Sequence, residues 1–288
     1  MIEQFLQQLC NGLVMGSGYA LMAVGLTMIF GLMDIVNFAH GEFYMLGGFF
    51  AYYLTALFGI NFFLSLVIAM LMVMGVGLIF EVFALRPLRE KGILTTVLIT
   101  IGLSIFLKNT ALILWSPIPK NMPTPFSPLA LTLGSVCITE ERIFAIIAAF
   151  TVIVCLHLML QKTKIGKAMR ATFQNKESAA LMGVDINRVY SFTFALGSGL
   201  AAIAGVLLGS VFFVQPTMGS LASSKAFIVV ILGGLGSFPG AIGGGFILGM
   251  AESLGAGFIS TGYKDAIGFV FVILILLFMP SGLFGRKK

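Results

Sequence analysis

Charge is scarce in this 288-residue chain: Asp, Glu, Lys and Arg together make up 10% of it, against 59% hydrophobic residues and a mean hydropathy of +1.07. A chain with so few charges cannot cover its apolar surface as a soluble domain, and it needs lipid as solvent. Histidine is limited to His40 and His157, and cysteine to Cys10, Cys137 and Cys155. The cysteines are an odd set without metal-ligand spacing, and Cys155 falls inside an apolar run. No zinc or haem pattern results, although a Cys10 to Cys137 pair on the outer side stays open. No Ser/His/Asp or Cys/His arrangement suggests a catalytic centre. An intramembrane hydrolase using Asp34 and Glu252 would lack a recognisable catalytic string. The glycine string GGLGSFPGAIGGG is not followed by Lys-Ser or Lys-Thr and has no strand-helix context, so no nucleotide or other cofactor is expected.

What is present is apolar length. A hydrocarbon core of ~30 Å asks for ~20 apolar residues per helix, and such runs occur at about 8–30, 39–58, 62–84, 93–115, 143–161, 190–214 and 264–283. The pattern predicts an all-α polytopic membrane protein with one domain over 1–288. Gly 35, Phe 28 and Met 16 fit it, because small residues let membrane helices approach while bulky ones face the tails.

The net charge of +6 does not point to nucleic acid, because twelve of the 17 Lys and Arg sit in three short segments between apolar runs. These are Arg86 to Lys91, Lys162 to Arg188, and Arg286 to Lys288. Positive-inside bias places all three in the cytoplasm, with the C-terminus. The first run is preceded by Glu3 and no Lys or Arg, so the N-terminus is expected outside, without a cleavable leader.

Parity then constrains 226–260, which is too long for one span and too short for two comfortable ones. It must go in and come back, through a descending piece Ala226 to Gly234, a turn at GSFPG (Gly236 to Gly240) and a rising helix Ala241 to Gly257. The count is about eight spans plus a re-entrant or broken helix near 226–257, or nine in all. Irregular backbone at membrane depth persists only inside protein or along a water-filled path. GLMDIVNFAHGE (Gly31 to Glu42) has the look of a second break, and NFAHGEFYMLGGF resembles SFPGAIGGGFILG, which suggests a two-half internal repeat.

Ionisable groups within spans are functional candidates. For Glu81 and Lys108 snorkelling to the interface is the simpler reading. Asp34, Asn37, His40 and Glu42 form a cluster that is either a solvated turn or a pathway lining. Pro239 in the glycine string and Glu252 complete the pathway candidates. Close packing is the alternative for the glycines, since Gly236, Gly240 and Gly244 recur every fourth residue. Gly197, Ala201, Gly205 and Gly209 repeat that spacing as a helix contact.

The most specific element is the basic loop at about 161–190. Glu177, Ser178, Ala179, Ala180, Leu181 and Met182 make one or two turns of good helix former, and Gly183 stops them. With Ala179, Leu181 and Met182 exposed, such a helix would suit a groove on a soluble partner. ESAALMG resembles the EAA motif of ABC importer permeases, with Ser178 in place of the first alanine. The resemblance implies that Glu177, Ser178, Ala179 and Gly183 couple to an ATPase.

GLTMIFGLMDIVNFAHGEFYMLG, GKAMRA, LGGLGSFPGAIGGGFILGMAE and MPSGLFGR resemble the branched-chain amino-acid ABC transporter permeases of bacteria, over essentially the whole chain. That resemblance implies an inner-membrane importer of leucine, isoleucine and valine. Its partners would be a second related permease, two cytoplasmic ATP-binding subunits that hydrolyse ATP, and a periplasmic amino-acid-binding protein. A permease for urea or short amides would look nearly the same. An ion-coupled secondary transporter or channel would need no docking helix, and a membrane scaffold would have no use for broken helices.

Overall fold

The computed structural model describes residues 1–126, 130–133, 136–279 and 282–284. The MPSGLFGR string and the basic Arg286 to Lys288 lie partly or wholly outside these residues. Helices α1 (Ile2–Met33), α2 (His40–Ala56), α3 (Phe62–Phe80), α4 (Ile93–Trp115) and α5 (Glu140–Lys162) lead into two short helices, α6 (Lys164–Gln174) and α7 (Lys176–Leu181). The chain continues through α8 (Ile186–Val211), α9 (Met218–Gly233), α10 (Phe238–Phe258) and α11 (Lys264–Phe278). An antiparallel hairpin, β1 (Ala130–Leu133) with β2 (Val136–Thr139), sets Ala130 opposite Thr139 in the loop before α5. It is tied to α1, because Cys137 N donates to Gln7 Oε1 at 2.8 Å and Gln7 Nε2 donates to Cys137 O at 3.0 Å. Cys10, Cys137 and Cys155 are free thiols.

Among the described residues, seven helices are long and apolar enough to cross a membrane, counting α3 with its continuation to Arg89 and α11 from Thr261. Helices α2 and α9, of 17 and 16 residues, are shorter. Each is only about 24 to 26 Å long at 1.5 Å per residue. An extended segment completes each passage: 34–39 before α2, and 212–217 before α9. The described residues thus pass nine times between the face that carries α6 and α7, here the loop face, and the opposite face. The turn near GSFPG is at Gly234 to Ser237, and it connects two full passages rather than a dip and return.

The halves repeat with inverted direction. A long central helix (α1; α8) is followed by an extended segment, a half-helix (α2; α9), a full helix (α3; α10) and an outer helix (α4; α11). The repeat expected from the sequence is therefore present in another register: 34–39 corresponds to 212–217, not to the GSFPG turn. In α1 and α8, 83% and 89% of the most apolar stretch is buried, against 11% for α4 and 12% for Thr261–Phe278.

Glycine sets these distances. A Cβ on Gly12 would lie 2.8 Å from Met250 Cα, and one on Gly16 2.9 Å from Phe246 Cα, so α1 and α10 meet backbone to backbone. Gly197 meets Gly25 in the same way, and Gly205 meets the Tyr44 carbonyl, so the small face of α8 is a contact with α1 and α2.

Candidate functional site

The pathway candidates fall in three places. The first is the meeting of the two half-helices in the interior. α1 ends at Asp34, whose left-handed φ of 54° closes the helix at the loop face with the side chain exposed. The chain then climbs beside α4. Thr100 Oγ1 donates to Val36 O at 3.2 Å, Ser223 Oγ donates to Phe38 O at 3.3 Å, and Asn37 Oδ1 accepts from Ala39 N at 3.1 Å. Side chains of α4, α9 and the segment itself thus supply what a helix ladder would, as a break in a membrane requires. Fully buried His40 donates from Nε2 to Met22 O at 3.0 Å, which puts the start of α2 beside the interior of α1, well short of its end at Met33.

Here the first turns of α2 and α9 touch through Gly41 and Gly219. Two helix N-termini, each carrying partial positive charge, would repel without an anion between them. Glu42 of the first turn of α2 lies at this contact: its Oε1 accepts from Ser104 at 3.1 Å, and a Cβ on Gly219 would fall 2.5 Å from its Oε2. Asn37, His40 and Glu42 are buried inside the protein, so the solvated-turn reading holds only for Asp34.

The second place is nearer the opposite face, where the sequence reading singled out only Glu252. Glu252 is fully buried on α10, and Tyr19 of α1 donates to its Oε2 at 2.9 Å. Its Oε1 pairs with Lys225 of α9, whose Nζ also lies 2.8 Å from Asp265 Oδ1 at the start of α11. One ammonium group thus holds three helices, and a buried pair of this kind is retained only when both charges are matched. Lys225, Tyr19 and Asp265 were missed. The available signal was a lysine within one turn of an apolar run.

The third place is the loop face. Pro239 is exposed in the first turn of α10, where a missing N–H costs nothing, and Ser237 Oγ caps that helix by accepting from Gly240 N at 3.2 Å. Pro239 borders an apolar cavity of about 280 Å³ that also touches Phe173 of α6 and Gly31 of α1. Nearby, Glu81 is fully buried: Ser191 Oγ donates to its Oε2 at 2.6 Å and Arg86 approaches to 3.3 Å. Snorkelling does not describe Glu81, because its carboxylate turns into the contact between the end of α3 and α8.

The coupling candidates stand apart on that face. Asn175 caps α7 by accepting from Ser178 N at 2.8 Å, and Gly183 turns the chain with φ +85°. Glu177, Ser178 and Gly183 are exposed, and Leu181 and Met182 are 89% and 85% exposed. Ala179 was expected at the surface and is instead buried, its methyl group facing the protein and leaving Leu181 and Met182 to face outward. The basic α6 precedes it, capped by Thr163, whose Oγ1 accepts from Gly166 N at 3.0 Å.

Residues 8–279 match the family described as branched-chain amino acid transport system / permease component. The high-affinity branched-chain amino acid transport system permease protein BraD of Pseudomonas aeruginosa is 38% identical, covering 100% of this chain and 98% of the relative. LivH of Escherichia coli, described in the same words, is 38% identical over 99% of this chain and 96% of its own length. A probable branched-chain amino acid transport permease protein of Methanocaldococcus jannaschii is 31% identical over 92% of this chain and 88% of the relative. No solved structure gives a significant match. By the span of that match and the identity to full-length relatives, the chain belongs to the family of branched-chain amino acid transport permeases.

Proposed function

We propose that this chain is one permease of an ATP-driven importer that carries leucine, isoleucine and valine across the bacterial inner membrane. The loop face is cytoplasmic, and the N-terminus and the hairpin are periplasmic. A second related permease, two ATP-binding subunits that hydrolyse ATP, and a periplasmic amino-acid-binding protein complete the machine. The observation that carries this reading is α7, a capped helix of six residues ending on bare Leu181 and Met182, which is what a docking element needs and a channel does not.

In this reading Glu177, Ser178, Ala179 and Gly183 pass ATPase closure to the membrane. Phe173 of α6 lies against Gly31 and Gly236, so a push on the loop reaches the end of α1 and the start of α10 together. The ATPase biases the inward- and outward-facing states only through different contacts with each. Asp34, Asn37, His40, Glu42, Pro239 and Glu252 mark the moving or lining parts of the pathway.

The test is Gly183→Asp in the assembled complex. A side chain there meets nothing within 4 Å in this chain, and the strain it brings at φ +85° falls on the exposed turn, so the membrane part is expected to stay intact. ATP-driven uptake is expected to be lost; uptake at the wild-type rate rejects the docking assignment.

A further inference from the structure

A cavity of about 270 Å³ lies between α1, α2, α8, α9 and α11, with Lys225, Lys264 and Asp265 in its wall. Met15, Leu208, Met218 and Leu221 form its apolar side, and Tyr44 also lines it. It shares Met15, Phe212 and Lys264 with a second cavity, of about 170 Å³, that reaches Gln8, Asn11 and Arg142 towards the opposite face. The two adjoin at these residues and lie between that face and the buried ion cluster.

The charges in this cluster balance. Lys225 and Lys264 bring two ammonium groups, and Glu252 and Asp265 two carboxylates. A cation or an anion entering here would leave one charge unmatched in a poor solvent for it. A zwitterion would not, because its ammonium and carboxylate can each take a partner while the total stays neutral. Glu252 is partnered through both oxygens, by Tyr19 and Lys225, whereas Asp265 has a side chain 61% exposed and can exchange its contact with Lys225 for one with a ligand. Apolar walls with a few convergent polar groups are the usual composition of a small-molecule site.

We propose that this cavity binds an α-amino acid with an uncharged, apolar side chain. The ammonium rests on Asp265, the carboxylate on Lys264 and Lys225, and the side chain lies among Met15, Leu208, Met218 and Leu221. The assignment rests on the import reading above and adds to it a place within this one subunit where substrate pauses.

The test uses the assembled complex in vesicles, with Cys10, Cys137 and Cys155 replaced by serine and Phe213→Cys as reporter, since Phe213 is 45% exposed in the cavity wall and lies outside the assigned ligand contacts. Leucine is expected to slow alkylation of this thiol at least fivefold. Leucinol, which lacks the carboxylate, and lysine, which adds a charge, are expected to leave it unchanged. Asp265→Asn is expected to remove the protection. Leucine uptake is measured in the same vesicles. Uptake without protection overturns the site and leaves the import reading standing, whereas absent uptake in the wild-type complex overturns both. Protection that survives in Asp265→Asn overturns the assignment of the ammonium.

Discussion

Replacing Lys225 by Met removes the one cation among the described residues that faces Glu252, a carboxylate with no exposed surface. Among the described residues, Tyr19 then remains its single hydrogen-bond donor. Breaking a buried pair from one side costs about 3–5 kcal/mol, because the surviving charge has neither partner nor water. Replacing both members leaves no such charge, and apolar replacements of buried pairs are close to neutral. Asp265 also loses its contact, but it is 61% exposed and solvent takes over. Lys225→Met and Glu252→Met are therefore each expected to destabilise strongly, and the double variant far less than their sum, with a coupling energy above about 2 kcal/mol. Ordinary polar contacts between membrane helices couple by only about 0.6 kcal/mol, so the two cases separate cleanly. Unfolding of the purified protein in mixed micelles, followed by loss of helical circular dichroism, provides the measurement. Additive effects within about 0.5 kcal/mol would refute the description of Lys225 and Glu252 as a mutually dependent buried pair.

At the meeting of the half-helices, Gly219→Ala places a Cβ 2.7 Å from Gly41 O and 2.5 Å from Glu42 Oε2, and is expected to cost about 1–3 kcal/mol by the same assay. Gly102→Ala on α4 meets nothing within 4 Å and is expected to be neutral or stabilising by up to about 1 kcal/mol. In a cysteine-free background, Asn121→Cys is expected to react with an impermeant thiol reagent in intact cells, and Gln174→Cys only after the membrane is opened; the reverse pattern inverts the topology.

How far the sequence was readable depended on how local each signal is. The passages and the loop face were legible because apolar runs and clustered lysines are contiguous. The stop at Gly183 was legible because a glycine after helix formers has one local meaning. Glu81 was misread because Arg86 is five residues away while Ser191, its shorter contact, is 110 residues further along the chain. Lys225 was passed over for the same reason: it follows two serines and reads as the end of a polar connection, and its partners Glu252 and Asp265 come from two later helices. GSFPG drew attention as a break because Gly and Pro are loud punctuation, yet it turns at the loop face. The interior break at 212–217 carries only Pro216, and its place in the inverted repeat emerges from element order rather than residue identity.

The central claim is that this chain conducts branched-chain amino acids when an ATPase drives it. The direct test is the complete complex of both permeases and both ATP-binding subunits, purified and reconstituted in vesicles with the binding protein on the periplasmic side and radiolabelled leucine as cargo. Leucine is expected to accumulate only when hydrolysable ATP is present on the face that carries α7, and dissipating ion gradients is expected to make no difference. Accumulation that follows an ion gradient and ignores ATP, or ATP-driven transport that leaves leucine behind, would contradict the account.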